Sequence, residues 1–373
     1  MRDATIAPVP TLRGIDDRQL PPRAWLHERA GVLLRKLRVR ADPEQLPPPP
    51  IVELMLAARS AGKAGSELRV DPDYVFRTYE ERRALYTDFL TGFLLPRTRI
   101  WCGDDLMIEV NSLGCRGPEI EAGTPVVAFF GDSTTLGVMG TANGLDGDSW
   151  TEHIELTGYA VLNAGVEGLE LGGVRRRYES LRRRVPLACA VFYTGWHNLI
   201  YNRRTPEYWE ECLQSYLSDQ QATVLCTLPT PLLPEMRERG IEALENDRPD
   251  ADITGDYFHF WGDWDRERWL VELIDVHERY NAHLADFCAR TGAYLIDLHA
   301  FMRPPSYEQA TRDFFDVCHF RPRVYPRVGE FVSAELARIL PATPPSVDGW
   351  RPPAEPPAPE PAEDLRKNIY PIW

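Results

Sequence analysis

The sequence predicts an α/β protein: a flavodoxin-like three-layer sandwich on a five-stranded parallel sheet, preceded by a helical N-terminal region. Three observations carry this reading. Residues 126–130, Val-Val-Ala-Phe-Phe, form an unbroken apolar run, as expected of a strand buried on both faces. Four more short apolar runs follow, each separated from the last by a stretch of helical periodicity. Strands alternating with helices mean βαβ units and right-handed crossovers. A hydrophobic content of 43 % over 373 residues is enough for a sizeable core.

Taken in order, residues 1–22 are polar and Pro-containing and read as a loose arm. Residues 25–39 place Leu26, Val32, Leu33 and Leu37 near helical spacing, and the proline run 47–50 stops them. Residues 51–61 form a second helix candidate with Gly62 as its stop, and 73–93 a third. Residues 1–95 are therefore expected to be a helical N-terminal region. Residues 97–110 alternate apolar and polar side chains, as in a short strand or hairpin. The turn-rich stretch 111–119, Asn-Ser-Leu-Gly-Cys-Arg-Gly-Pro-Glu, leads straight into the first buried strand.

The expected strands are 126–130, 159–163, 188–193, 222–228 and 293–298. The helices between them are 150–156, 172–184, 207–219 and 266–291, and a last helix, 327–340, closes a domain spanning 96–342. Residues 230–265 break the rhythm. Prolines and an acidic stretch there precede Tyr-Phe-His-Phe-Trp-Gly-Asp-Trp at 257–264, which makes this insertion a candidate lid or pocket wall. Phe260, Trp261 and Trp264 are its candidate substrate-pocket residues, together with Trp196; the plainer reading is that such aromatics only pack onto the core. Residues 343–373 form a Pro-rich C-terminal tail, and the stretch 341–361, dense in Pro, Ala and Glu, is expected to be disordered or PPII-like. The tail's apolar end, Asn-Ile-Tyr-Pro-Ile-Trp, is a candidate for docking on its own domain or on a protein partner.

The formal net charge of −14 argues against general binding to nucleic acid phosphates. No apolar run reaches the ~18 residues of a membrane span, and the N-terminus lacks the apolar core of a secretory signal. Seven cysteines, an odd number without a Cys-x-x-Cys pair, fit reduced core thiols better than a disulfide framework or a zinc ribbon. Cytoplasmic location is the simplest expectation.

Candidate chemistry lies at the carboxyl ends of the strands, where open α/β sheets bind ligands. The first strand ends in Gly131-Asp132-Ser133. Ser133 is a candidate nucleophile, although a turn followed by a helix N-cap explains the same residues. Among eight histidines, His319 stands out, because Asp316 sits three residues ahead of it and one tight loop could aim both at the same spot. The second strand is followed by Asn163-Ala-Gly-Val-Glu-Gly168, whose glycines let a backbone N–H face a ligand closely. The third ends in Gly195-Trp196-His197-Asn198, with two side-chain donors.

The order of these blocks resembles the SGNH hydrolase family, the GDSL-type esterases and lipases, over residues 111–340. The 111–119 lead-in is similar to what precedes the first block in many bacterial members. The resemblance implies that Ser133 is the nucleophile and that His319, oriented by Asp316, is the base. It also implies that the N–H groups of Ser133 and Gly168 are two oxyanion donors. The third donor is normally the asparagine of a Gly-x-Asn-Asp block. Here His197 occupies the asparagine position and Asn198 the aspartate position, so the hole has lost one donor, or His197 donates, or Asn198 supplies its amide. The last is favoured, since a carboxamide donates at any pH. Asp132 is read as structural. The implied activity is hydrolysis of a small or medium acyl ester through an acyl-enzyme, with no metal or cofactor. Transfer of the acyl group to another acceptor, or a non-catalytic scaffold, are the alternatives.

Overall fold

The computed structural model describes residues 67–70, 86–87, 93–138, 147–202, 205–218, 221–232 and 266–352. Two sheets are present among them. In the smaller, β1 (Glu67–Val70) runs parallel to β2 (Arg99–Cys102), which pairs antiparallel with β3 (Asp105–Glu109). The expected hairpin is thus β2–β3. Within the region expected to be helical, β1 is a strand, and Thr87 bridges Leu94. Alternation in Glu-Leu-Arg-Val suits an edge strand beside β2, a local preference that the helical periodicity of its neighbours obscures. The helix candidates 25–39 and 51–61, and most of 73–93, lie outside the described residues.

The larger sheet has the order β5-β4-β6-β7-β8 and is parallel throughout: β4 (Val126–Gly131), β5 (Ala160–Asn163), β6 (Leu187–Tyr193), β7 (Ala222–Cys226) and β8 (Tyr294–Ile296). Every residue of β4 is buried, which explains its unbroken apolar run. Successive side chains point to opposite faces, and the aromatic packing shows both. Phe130 stacks on Phe192 at 5.3 Å and meets Tyr178 edge-on, while Phe192 stacks on Tyr216 at 4.1 Å. On the other face Phe129 meets Trp150 edge-on at 5.4 Å, and Trp150 meets Tyr193.

The first face is covered by α2 (Leu171–Arg182), α3 (Pro206–Gln214) and α4 (Arg266–Thr291); the second by a 3₁₀ turn at Trp150–His153 and α7 (Tyr325–Ile339). This is the expected three-layer sandwich. The one-turn α1 (Ser133–Leu136) follows β4, and short α5 (Leu298–Met302) and α6 (Tyr307–Asp313) follow β8. The helix expected at 150–156 stops after the 3₁₀ turn, because Ile154 is extended (φ −89°, ψ 119°) and Gly158 turns the chain into β5.

Residues 343–352, the first part of the Pro-rich tail, are not loose. The Trp350 indole N–H donates to Arg184 O at 2.7 Å, and Gly123 N–H donates to Trp350 O. The remainder of the tail and residues 233–265 of the insertion lie outside the described residues. Among those described, no helix is long and apolar enough to cross a membrane.

Candidate active site

Gly131 ends β4 where a side chain has no room: an added Cβ would lie 1.9 Å from Tyr193 O and 2.0 Å from Thr135 Oγ1. Backbone this close to β6 lets the chain turn sharply into α1. Asp132 caps that helix. Its Oδ1 accepts from Thr134 N–H at 3.0 Å and from the Thr134 hydroxyl at 2.6 Å, so the structural reading of Asp132 describes what the side chain touches. Ser133, first residue of α1, keeps partial exposure at the carboxyl edge of the sheet.

A one-turn helix leaves its carbonyls without intrahelical donors. Three side chains from elsewhere supply them. The Trp150 indole N–H donates to Thr134 O at 2.9 Å, and Asn163 Nδ2 donates to Thr135 O at 2.9 Å. Arg116 Nη1 donates to Leu136 O at 3.2 Å and to Gly137 O at 2.7 Å. The Thr135 hydroxyl ties the same turn to β6 through Tyr193 O at 2.6 Å.

His319 comes from the loop between α6 and α7, and its Nε2 stands 2.8 Å from Ser133 Oγ. Its Nδ1 lies 2.7 Å from Asp316 Oδ2. The other oxygen of Asp316 accepts from the backbone N–H groups of Cys318 at 2.9 Å and His319 at 2.8 Å. The three-residue spacing thus folds into a loop in which one carboxylate holds both the backbone and the ring of His319. Asp316 and His319 are 1 % and 2 % exposed. Burial alone would raise the Asp316 carboxyl, but the His319 charge and these hydrogen bonds outweigh it and hold it below the usual carboxylate range. Burial alone would lower the imidazole. The Asp316 charge and hydrogen bond, with Asp132 and Glu167 adding to them, raise it instead. Asp132 is itself raised, chiefly by burial, against the Thr134 hydrogen bonds, the His319 charge and the His197 backbone N–H.

Two loops flank this line. After β5, Asn163-Ala-Gly-Val-Glu-Gly168 ends in Gly168 at φ 72°, the left-handed region. After β6, Asn198 has no exposed surface, and its Oδ1 accepts from Leu171 N–H at 2.8 Å at the start of α2. Its Nδ2 is buried without a protein partner. His197 is partly exposed.

Trp196 does not line a cleft. It is 1 % exposed and stacks on His277 of α4 at 5.1 Å. The alternation after β6 turns it into the core, which a sequence pattern of donors and aromatics does not reveal. Phe260, Trp261 and Trp264 lie outside the described residues. Sequence reasoning passed over Glu167, which is fully buried and accepts from the Tyr86 hydroxyl; a lone glutamate between valine and glycine carries no signal of its own. Asp316, Cys318 and His319 hold ligand-type atoms within 4.8 Å of one another, but His319 Nδ1 and Asp316 Oδ2 already bind each other.

A buried Asp–His pair aimed at a serine on a strand-to-helix turn defines the class of serine hydrolases. The model of the GDSL-like lipase/acylhydrolase family matches residues 129–327, more than half of the chain. The protein belongs to that family and is an SGNH-type serine hydrolase acting on ester bonds. Similar solved structures include a lipolytic G-D-S-L family protein from Veillonella parvula, 16 % identical over 58 % of this chain and 99 % of that one, with a TM-score of 0.39. A lipase/acylhydrolase from Enterococcus faecalis is 19 % identical over 59 % of this chain and 100 % of that one, with a TM-score of 0.38. A GDSL-like lipase from Bacteroides thetaiotaomicron is 13 % identical over 58 % of this chain and 89 % of that one, with a TM-score of 0.39. No curated protein matches the sequence.

Proposed function

We propose that the protein hydrolyses small or medium acyl esters by double displacement, with Ser133 as the nucleophile. One observation carries this reading: the unbroken line from Ser133 Oγ through His319 Nε2 and Nδ1 to Asp316 Oδ2, with steps of 2.8 and 2.7 Å. A carboxylate on Nδ1 fixes the tautomer with its proton there and leaves the Nε2 lone pair facing the hydroxyl. His319 takes the proton as Ser133 Oγ attacks the ester carbonyl. The tetrahedral oxyanion is held by the N–H groups of Ser133 and Gly168 and by one side chain after β6. His319 then protonates the leaving alcohol, and water attacks the acyl-enzyme by the same route in reverse.

The third donor is His197 rather than Asn198. Asn198 is wholly buried and its oxygen is held by the α2 backbone, which makes it a brace between the β6 and β5 loops. His197 is partly exposed, and its backbone N–H acts on Asp132 beside the nucleophile. None of the seven cysteines is in a disulfide, and all but Cys102 are buried. We therefore place the enzyme in a reducing compartment such as the cytoplasm.

Hydrolysis of p-nitrophenyl acetate and butyrate by the full chain, and labelling by a fluorophosphonate, should both vanish in Ser133→Ala. Activity independent of Ser133 would overturn the reading. Added alcohol or amine acceptors, with products analysed, separate hydrolysis from acyl transfer.

A further inference from the structure

We propose that Arg116, in the stretch that precedes the catalytic blocks, is a positioning residue that fixes the carboxyl end of the nucleophile helix. The proposal rests on the assignment of Ser133 as nucleophile and assigns a role to a segment which that mechanism does not use.

The polar residues of 111–119 divide into two groups. Most staple the turn to itself. Asn111 Oδ1 accepts from Leu113 N–H at 3.0 Å and Cys115 N–H at 3.1 Å, and its Nδ2 donates to Pro118 O. Glu119 accepts from the Ser112 N–H at 2.7 Å and the Ser112 hydroxyl at 2.6 Å. Arg116 alone in this stretch reaches the nucleophile turn. It is 3 % exposed, and its backbone N–H donates to Asn163 O at 2.9 Å. Its Nη1 donates to Leu136 O and Gly137 O, as described above, and its Nε to Glu152 Oε1 at 3.0 Å.

Geometry gives this contact its consequence. Four residues of helix hold little of their own direction, since the internal bonds of α1 run only from Asp132 O and Ser133 O. The amino end is fixed by Asp132. The carboxyl end depends on donors from outside, and Arg116 is the only charged one among Trp150, Asn163 and itself. A guanidinium is a planar fork with its donors in fixed directions. Held by Glu152 and by the β5 backbone, it sets where Leu136 and Gly137 sit, and therefore how α1 is rotated. Ser133 Oγ lies one turn away, at 2.8 Å from His319 Nε2. That separation leaves no slack, and a displacement of about 1 Å at a reacting atom costs up to ~100-fold in rate.

The test uses the full chain with Arg116→Met and Arg116→Lys, assayed well below each variant's thermal midpoint. Tyr159→Phe, which loses only a hydrogen bond to Pro341 O at the opposite edge of the sheet, is the control for general loss of stability. Arg116→Met should lower kcat and the rate of Ser133 labelling by a fluorophosphonate about 10- to 100-fold. KM should stay within about twofold, the signature of an effect on the transition state alone. Arg116→Lys should recover part of the loss, since an ammonium can still reach one carbonyl but not hold both. The acid limb of the pH profile, set by His319, should not move, because the substitution leaves the Asp316–His319 contact intact. Wild-type labelling rates in folded Arg116→Met would overturn the proposal, as would a loss confined to KM. If Ser133→Ala retains activity, the nucleophile assignment itself fails, and that outcome is distinguishable from a silent Arg116.

Discussion

The Tyr86 hydroxyl donates to the carboxylate of Glu167, and neither residue has any exposed surface. Glu167 precedes Gly168, the proposed oxyanion donor, so a residue far upstream in the chain reaches the loop that carries the site. Removing the hydroxyl takes a donor from a buried carboxylate, a loss of about 1–3 kcal/mol. Tyr86→Phe should therefore lower the free energy of unfolding by that amount and lower kcat, while Tyr294→Phe, at an exposed tyrosine, should do neither. Urea titration and steady-state kinetics on the same sample decide it. Unchanged kcat would show that the pair holds the fold without acting on the site.

His319 must be neutral to accept the Ser133 proton, and Asp316 raises its pKa above the ordinary 6.5. Activity should accordingly rise with pH through an ionisation above that value. Asp316→Asn removes the charge that raises it. The ionisation should then fall below the wild-type value, while kcat drops by about 10⁴ because the tautomer is no longer fixed. Stability follows the opposite sign for the two partners. The raised His319 contributes fully below its unfolded pKa and loses that contribution as pH rises through its folded value. The lowered Asp316 contributes above its unfolded pKa and loses it as pH falls through its folded value. The pair is therefore most stabilising between the two. A pH profile of kcat/KM without an ionisation above 6.5 would contradict the assignment.

The parallel sheet was legible because burial on both faces writes unbroken apolar runs, and all five expected strands lie where the structure has them. The convergence of Ser133, Asp316 and His319 was legible because each follows a strand end or a tight loop that simple turn chemistry marks. Trp196 was misread, because an aromatic beside a site looks the same in sequence whether it faces the cleft or, as here, the core. Arg116 and Glu167 carried no signal as individual residues. Their roles depend on non-local contacts with α1 and with Tyr86, which no local spacing encodes.

His277 is 2 % exposed, and its Nε2 lies 2.6 Å from Leu228 O. Burial, with His299 nearby, pushes its pKa down to about 3. The unfolded chain therefore binds a proton below pH ~6.5 that the folded chain refuses. Stability should fall on acidification by about 1.4 kcal/mol per pH unit in that window. His277→Gln keeps a donor for Leu228 O but does not titrate. Denaturant unfolding at pH 7, 6 and 5 should show a flatter dependence for the variant, and parallel curves would mean that His277 is not held neutral.

The third oxyanion donor separates two adjacent residues. His197→Ala removes the proposed donor and should lower kcat by about 10²–10³, the usual cost of one such hydrogen bond. His197→Asn restores a carboxamide at the position where the family's block normally carries one, and should recover most of that loss. Asn198→Ala instead removes the acceptor for Leu171 N–H. It should reduce stability by about 1–3 kcal/mol and disturb KM and kcat together as the two loops separate. A histidine donor also requires a proton on the nitrogen that faces the oxyanion, so the wild type and His197→Asn should differ in the shape of their pH profiles. If His197→Ala is silent while Asn198→Ala abolishes turnover in a folded protein, the order is reversed, and the buried Nδ2 of Asn198 is the donor.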